Sequence, residues 1–398
     1  MRVVDVNEFY SPTGGGVRTY LDRKMGIMAD LGHELIVVAP GYDDGVEERA
    51  GGGRIHWLKA PRLPFDRSYG LFWDPAPVTR LLDTLDPDVV ETSSPWRPAW
   101  IVGNWRGRAL KVFFAHNDNM AAYAQRWLED VATAEQVERW CAWYTNYMGR
   151  FLGAFDAFVT NGTTLARRHA RRGLKVDAAM PLGIDKGYFS PTLRDPQLRA
   201  ALLEQCGLGE DAHLLLGVGR HHPEKRWPTV IDAVEAAGAE RPVGMILLGD
   251  GVARDVLAKR IAGSPHIRLY RPLYDRLRFA QIMASADALI HGSDQEPFGL
   301  VALEAVASGL PLIVPDEGGA FDIAEPAYSE VYESRDARSC AEAIGRLLDR
   351  EPTVLRAASV HAAAKVRTDR DHAIALVDYY SGLIEERDAV PSAPAAAR

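Results

Sequence analysis

The 398-residue chain has only three cysteines and no long apolar run. Cys141, Cys206 and Cys340 lie far apart, have no metal-ligand spacing and are odd in number, so we expect reduced thiols rather than disulfides or a zinc site. No stretch approaches the roughly 18 apolar residues that span a bilayer. Asp5 and Glu8 interrupt the segment where a secretory signal would be apolar, so we expect a cytoplasmic protein.

The chain also carries no large excess of positive or negative charge. The net charge is −8, which argues against nucleic acid as the main partner. The first half of the chain is close to neutral and the second half is acidic. The length fits two domains of about 200 residues each.

Short apolar runs alternate with helical patterns along both halves, which predicts two α/β domains with doubly wound parallel sheets. A Pro- and Gly-containing segment, Pro181–Pro191, is the predicted join. We therefore place the domains at 1–185 and 186–371, followed by a helix over 372–388 and a disordered tail over 389–398. The predicted strands are Val3–Val6, Glu34–Ala39, Val89–Glu91, Leu110–Ala115, Ala157–Thr160, Leu214–Val218, Gly244–Leu248, Ile267–Tyr270, Ala288–His291 and Leu312–Val314.

Two loops that follow predicted strands have the composition of phosphate-binding loops, because ligands of open parallel sheets bind beyond the carboxyl ends of the strands. The first contains Gly15 and Gly16, which would let the backbone approach a ligand closely, and a mobile loop without a ligand is the alternative. The second runs from Gly219 and places Arg220 and Lys225 five residues apart. Two cations on one loop can stabilise a departing diphosphate without a metal ion, so no metal or other cofactor is expected.

The segment Glu296-Pro297-Phe298-Gly299, followed by Glu304, is the most specific motif. Pro297 restrains Glu296 to an extended conformation, so a helix is expected to begin near Phe298 with free amide groups. Glu304 then lies about 7 Å along the helix axis, roughly the distance from a phosphate to the ribose hydroxyls. Its carboxylate can accept hydrogen bonds from the ribose, and that of Glu296 from the donor sugar.

Together these motifs resemble glycosyltransferase family 4, whose members have the GT-B fold of two Rossmann-like domains. The resemblance covers most of the chain and is strongest over Leu214–Asp322. It implies an N-terminal acceptor-binding domain and a C-terminal nucleotide-sugar-binding domain, with the 372–388 helix crossing back to the first. It also implies Arg220 and Lys225 on the diphosphate, Glu296 on the sugar, Glu304 on the ribose, and the amides of Phe298, Gly299 and Leu300 on sugar or phosphate.

Further candidates depend on that resemblance. His116 ends a predicted strand, at a place where the family commonly has a histidine near the donor sugar. The predicted catalytic set therefore contains His116 together with Glu296, Arg220 and Lys225. Asn117 and Asp118 are weaker acceptor-binding candidates, and capping of the next helix is the alternative for at least one of them. Arg271 and Leu273, after Ile267–Tyr270, are the predicted base-binding region.

The predicted activity is transfer of a sugar from a nucleotide diphosphate sugar to a hydroxyl acceptor with retention of anomeric configuration. A UDP-sugar is favoured and GDP-mannose is the alternative. A sugar-nucleotide epimerase and a non-catalytic sugar-nucleotide binding protein remain open.

The acceptor is either a soluble molecule, or a lipid or lipid-linked glycan reached by peripheral contact with the inner face of an anionic membrane. A basic run predicts such contact or simple solvation. That run is Arg167, Arg168, Arg171, Arg172 and Lys175. The helical spacing of Tyr144, Met148, Phe151 and Phe155 predicts a packed core instead of a membrane-facing surface.

Overall fold

The computed structural model describes residues 1–12, 16–63, 67, 69–120, 124, 128 and 131–389. The chain divides into two compact units, Met1–Pro181 with Asp369–Arg398 (unit 1) and Leu182–Thr368 (unit 2). The boundary between the units falls inside the predicted join Pro181–Pro191. The last helix begins at Asp369, three residues before its predicted start, and the predicted tail beyond Ala389 lies outside the described residues.

Unit 1 contains an eight-stranded sheet in the order β3-β4-β2-β1-β5-β6-β7-β8. Neighbouring strands are parallel except for the antiparallel pair β3 and β4. The strands are β1 Arg2–Val6, β2 Glu34–Gly41, β3 Gly45–Glu48, β4 Arg54–Lys59, β5 Val89–Thr92, β6 Leu110–Ala115, β7 Ala157–Thr160 and β8 Ala178–Ala179. The helices described for this part of the chain are α1 Gly16–Asp30, α2 Ala76–Leu85, α3 Arg97–Asn104, α4 Ala134–Trp140, α5 Ala142–Leu152 and α6 Thr163–Arg171.

Both faces of this sheet are covered, because alternate side chains of its strands enter different apolar cores. Val3 packs in the core beneath α1, whereas Val4 and Val6 pack beneath α2 and α3. The predicted core positions Tyr144, Met148 and Phe151 are buried and Phe155 packs against them, which confirms the core interpretation of that spacing.

Unit 2 contains a six-stranded parallel sheet in the order β11-β10-β9-β12-β13-β14. Its strands are β9 His213–Val218, β10 Val243–Leu248, β11 Ile267–Tyr270, β12 Ala288–Ile290, β13 Leu312–Pro315 and β14 Ser329–Tyr332. Its helices are α7 Pro196–Gln205, α8 Trp227–Glu240, α9 Arg254–Ile261, α10 Arg276–Ser285, α11 Leu300–Ala307, α12 Gly319–Ile323, α13 Ala337–Leu348 and α14 Pro352–Lys365. Leu214 and Leu216 enter one apolar core and Leu215 the other, as expected for a sheet covered on both faces.

The C-terminal helix α15, Asp369–Ala389, belongs to unit 1. It packs on α1 through Leu376 and Tyr380, which are both buried in the core that α1 covers. His372 joins the two helices, because its Nε2 lies 3.0 Å from the hydroxyl of Tyr20. The chain therefore returns to the unit in which it started.

The ten predicted strands are present, and β3, β4, β8 and β14 were missed. These four strands lie at or next to a sheet edge and are short or rich in polar residues, as in Ser329–Tyr332. Of the three cysteines, Cys206 and Cys340 are buried thiols, and Cys141 is a half-buried thiol. None of the described helices combines the length and apolar character needed to cross a membrane.

Candidate active site

In each sheet the strand order reverses direction at one point, which is where open parallel sheets bind ligands. In unit 2 this point lies between β9 and β12. The loops that leave these two strands at their carboxyl ends are Gly219–Arg226 and His291–Gly299. They contain the two motifs that the sequence singled out, Arg220 with Lys225 and Glu296 with its neighbours. Topology thus brings the motifs together although they are separated by about 70 residues in sequence.

Lys225 and Glu296 form a close ion pair in this position. The Lys225 Nζ donates to Glu296 Oε2 at 2.6 Å, and the Nε2 of His291 lies 3.0 Å from the same oxygen. Burial by itself would raise the pKa of Glu296, but Lys225 and His291 together lower it well below its usual value. Glu296 is therefore an ionised hydrogen-bond acceptor at neutral pH and not a proton donor.

His291 is a site residue that the sequence analysis did not assign. Its side chain is buried at the end of β12, and its carbonyl accepts a hydrogen bond from the Tyr332 hydroxyl at 2.7 Å. A histidine that ends an otherwise apolar strand, five residues before Glu296, was the available signal.

The Glu296 segment is packed directly against the first residue of α12, Gly319. The amide of Gly319 donates to the Glu296 carbonyl at 2.6 Å. A Cβ at Gly319 would lie only 2.3 Å from the backbone of Phe298, so the two segments can approach this closely only with glycine. This contact restrains the backbone of the motif, while the Glu296 side chain contacts Lys225.

Helix α11 begins at Leu300, two residues later than expected from Pro297. Gly299 precedes it in the left-handed conformation with φ of 69°, which explains why the motif ends in glycine. The amides of Leu300 and the residues after it lie in the first turn, where no intrahelical carbonyl is available to them. Glu304 is the fifth residue of the helix, as expected from the motif, and is half-buried.

Arg220 differs from Lys225 in its surroundings. Its side chain is 74% exposed and donates to Glu224 at 2.6 Å. A ligand phosphate could replace that carboxylate, because a surface ion pair contributes only about 0.2–1 kcal/mol. Arg226, the next residue after Lys225, is largely buried beside Asp294.

Arg271 and Leu273 follow β11, the edge strand two positions away from β9. The Arg271 guanidinium donates to Asp250 at 2.8 Å and is largely exposed. Asp250 itself follows β10, so these loops line the carboxyl edge of the sheet next to the Arg220 loop. This placement is compatible with a nucleotide base, and it favours no particular base.

In unit 1, the corresponding edge of the sheet carries His116 and a buried carboxylate. The His116 ring stacks on Phe114 with centroids 4.5 Å apart, and burial, with smaller effects of Lys24 and His372, lowers the pKa of His116 to about 3. Glu8 follows β1, accepts from the Phe72 amide at 2.8 Å, and has its pKa raised by burial to about 7. His116 is therefore a neutral imidazole at physiological pH.

The remaining predicted residues of unit 1 lie in different surroundings. Asp118 is buried, and its two oxygens accept from Arg172 at 2.8 and 3.0 Å. Its carboxylate also accepts from the Met120 amide, a contact that agrees with the alternative of a capping role. Asn117 is exposed. Gly15 lies outside the described residues, and Gly16 is the first residue of α1.

The basic run is also divided by the structure. Arg172 forms ion pairs with Asp118 and Glu138, whereas Arg171 and Lys175 are exposed.

The chain also contains carboxylates with a spacing that could bind a metal ion. Two pairs of aspartates have the spacing Asp-x-Asp, at 86 and 88 and at 369 and 371, and both lie in unit 1. Within the described part of the chain, no group of three or more His, Cys, Asp or Glu side chains could hold a metal ion.

Comparisons with known proteins agree with this geometry. Residues 212–350 match the family of group 1 glycosyl transferases, and residues 15–183 match the glycosyl transferase 4-like domain. The chain belongs to the group 1 glycosyl transferases. The family resemblance predicted from the motifs is thus confirmed.

Among its relatives is a GDP-mannose-dependent alpha-(1-6)-phosphatidylinositol dimannoside mannosyltransferase of Mycobacterium tuberculosis, 30% identical over 79% of each chain. A GDP-mannose-dependent alpha-mannosyltransferase of the same organism is 27% identical over 82% of each chain. Among solved structures, sucrose-phosphate synthase from Thermosynechococcus elongatus superposes with a TM-score of 0.74 at 18% identity and covers 97% of this chain and 99% of its own. The fold is therefore GT-B, and the protein is a glycosyltransferase.

These relatives bear on two earlier alternatives. They are named as transferases, which favours transfer over epimerisation or silent binding. Their names specify GDP-mannose, so the sequence-based preference for a UDP-sugar has no support from them.

Proposed function

We propose that this glycosyltransferase transfers mannose from GDP-mannose to a hydroxyl group of a phosphoinositide-type glycolipid, with retention of anomeric configuration and without a metal ion. The observation that carries the proposal is the Lys225 and Glu296 pair at the point where the strand order of unit 2 reverses. The choice of mannose is supported by the names of both relatives, and the choice of a lipid acceptor by the name of the phosphatidylinositol dimannoside mannosyltransferase.

The site supplies what departure of a diphosphate requires. Lys225 is held within 2.6 Å of Glu296, so its ammonium is already oriented before a donor binds. Arg220 adds an exposed guanidinium on the same loop, and the first turn of α11 adds amide groups. Such charged hydrogen bonds contribute about 1.5–3 kcal/mol each.

The proposed reaction is a same-face displacement. The bond between the anomeric carbon and the diphosphate oxygen breaks, and its electron pair leaves with the GDP. A bond forms between the acceptor oxygen and the anomeric carbon on that same face, and the acceptor proton passes to a phosphate oxygen of the departing GDP. Glu296 remains ionised and accepts hydrogen bonds from sugar hydroxyls, since Lys225 and His291 keep its pKa low despite burial.

Peripheral contact with an anionic membrane belongs to the same proposal. It is supported by the exposed Arg171 and Lys175 and by the exposed indoles of Trp140 and Trp143 in unit 1. Tryptophan and cationic side chains favour the interface between lipid and water.

The test is a donor screen followed by a product assay. Thermal shifts are measured with GDP, UDP and ADP and with their mannose and glucose derivatives, because a bound donor stabilises the folded protein according to its affinity. GDP-mannose should give the largest shift among the sugars. Labelled GDP-mannose is then supplied with phosphatidylinositol mannoside in anionic vesicles, or with a soluble methyl mannoside.

We expect labelled product mainly from the vesicles, with an α-linkage by NMR. A larger shift with a UDP- or ADP-sugar would overturn the choice of donor. Product from the soluble acceptor alone would overturn the lipid acceptor.

A further inference from the structure

Asp294 lies two residues before Glu296, and its buried carboxylate contacts arginines on two neighbouring loops. We propose that Asp294 is a positioning residue of the donor site, which holds the Lys225 loop in the geometry that binds the donor diphosphate. The inference rests on the proposed function of Lys225 and Glu296. It concerns a position that neither the family motif nor the relatives assign to the site.

Asp294 bridges two arginines from different loops. It is only 6% exposed and follows β12. Its Oδ2 accepts from Arg335 Nε at 2.7 Å, and its Oδ1 lies 3.4 Å from Arg226 Nε. Arg226 belongs to the loop after β9, and Arg335 to the loop after β14. The carboxylate thus connects three loops at one edge of the sheet.

Both arginines have left-handed backbone conformations, with φ of 50° at Arg226 and 68° at Arg335. Non-glycine residues rarely adopt this conformation unless the surroundings enforce it. The buried carboxylate supplies such a constraint, because it attracts both guanidinium groups into one place. The only other non-glycine residue with positive φ in the described part of the chain is Asp86 in unit 1.

Because Lys225 and Arg226 are consecutive residues, a fixed backbone at Arg226 also restrains the position of Lys225. Gly292 lies against this turn, since a Cβ there would be 2.5 Å from the Lys225 carbonyl. Gly318, from the loop after β13, packs on the carbonyl of Asp294, where a Cβ would be 3.1 Å from the oxygen. The loops after four adjacent strands, β9, β12, β13 and β14, therefore meet around Asp294. Movement of this centre would displace the Lys225 ammonium from Glu296.

The chain offers a matched control at the other end of the same strand. Asp287 precedes β12, is also largely buried, and binds two arginines, Arg199 at 2.7 Å and Arg194 at 3.3 Å. It lies at the amino edge of the sheet, away from the ligand-binding loops. Loss of Asp287 removes comparable interactions and leaves Lys225 untouched.

The experiment measures the dissociation constant of GDP-mannose by calorimetry for Asp294→Asn and Asp287→Asn, together with their melting temperatures. Asp294→Asn should raise the dissociation constant about tenfold, as expected for coupled neighbours, and Asp287→Asn by less than about twofold. Arg335→Asn is the second variant, because its side chain is partly exposed and asparagine tolerates a left-handed backbone. It should raise the constant about threefold.

A double-mutant cycle separates positioning from general destabilisation. In the Lys225→Ala background, Asp294→Asn should weaken donor binding by less than about twofold, because the group it positions is gone. An effect of the same size in both backgrounds, or equal effects of Asp294→Asn and Asp287→Asn, would overturn the inference while leaving the proposed function intact. Absence of GDP-mannose binding by the wild-type protein would overturn both.

Discussion

The two units each contain a lysine and glutamate pair with the same 2.6 Å separation, and their surroundings differ. In unit 1, Lys24 from α1 meets Glu91 from β5, and the two side chains are only 2% and 3% exposed. In unit 2, Lys225 and Glu296 are 12% and 15% exposed and lie on the loops where the strand order reverses. The same two side-chain types therefore lie in two different environments.

The difference lies in what surrounds each pair. Lys24 and Glu91 are enclosed by Asp5, Tyr20 and Tyr380, and burial together with Glu91 raises the pKa of Asp5. No ligand can replace a partner there, so the pair is part of the fold. Lys225 and Glu296 lie where loops leave the sheet, and under the proposed function a diphosphate contacts Lys225 and a sugar contacts Glu296. An ion pair indicates a site only when a ligand can reach it.

The largest expected effect on stability comes from breaking the enclosed pair. Lys24→Met should lower the free energy of unfolding by about 3–5 kcal/mol, because it leaves Glu91 as an unpaired buried charge. Urea unfolding followed by tryptophan fluorescence reports unit 1, which contains all the tryptophans except Trp227.

The control is the double variant Lys24→Met with Glu91→Leu. It should recover most of the loss, since no uncompensated charge remains. A loss of less than about 1 kcal/mol for Lys24→Met alone would contradict the structural role of the pair.

The largest expected effect on activity comes from the pair in unit 2, Lys225 and Glu296. Lys225→Ala and Glu296→Ala should each lower the rate of sugar transfer about 100- to 1,000-fold, as for loss of one group that stabilises developing charge. They should lose less stability than Lys24→Met, because the pair in unit 2 is more accessible to water than the pair in unit 1. Lys259→Ala, a lysine on the exposed surface of α9, is the matched control and should retain full activity. Wild-type rates from either site variant would contradict the assignment of the donor site.

A smaller effect should appear in the pH dependence of stability. The pKa of His116 is lowered from 6.5 to about 3, chiefly by burial, so between these pH values the unfolded chain binds a proton that the folded chain does not. Stability from this group is therefore present above pH 6.5 and is lost as the pH falls. The loss from His116 at pH 5 should be about 2 kcal/mol.

The measurement compares His116→Asn with the wild type by urea unfolding at pH 7 and pH 5. The wild-type curve alone is not sufficient, because Asp5 and Glu8 have raised pKa values and act with the opposite sign. The difference in unfolding free energy between wild type and variant should shrink by about 2 kcal/mol on acidification. An unchanged difference would show that His116 is not kept neutral by burial.

The sequence by itself determined the fold class, the family and the residues of the donor motif. Alternation of apolar runs with helical patterns is a local property, and so is the spacing of Arg220, Lys225, Glu296 and Glu304. For the same reason strands with a clear apolar signal were found, including the edge strand Ile267–Tyr270. Strands that are short or rich in polar residues, such as Ser329–Tyr332 at the other edge, were missed because they have little apolar signal.

Only the tertiary structure decided which charges share a site. Asp118 and Arg226 both follow patterns typical of exposed polar loops, yet each is held by a buried ion pair with a distant residue. His291, Gly319 and Asp294 became part of the site because parallel strands bring the ends of β9, β12, β13 and β14 to one edge. The electrostatic energy of a charge depends on its burial and on partners far away in sequence, and those are fixed only when the sheet has formed.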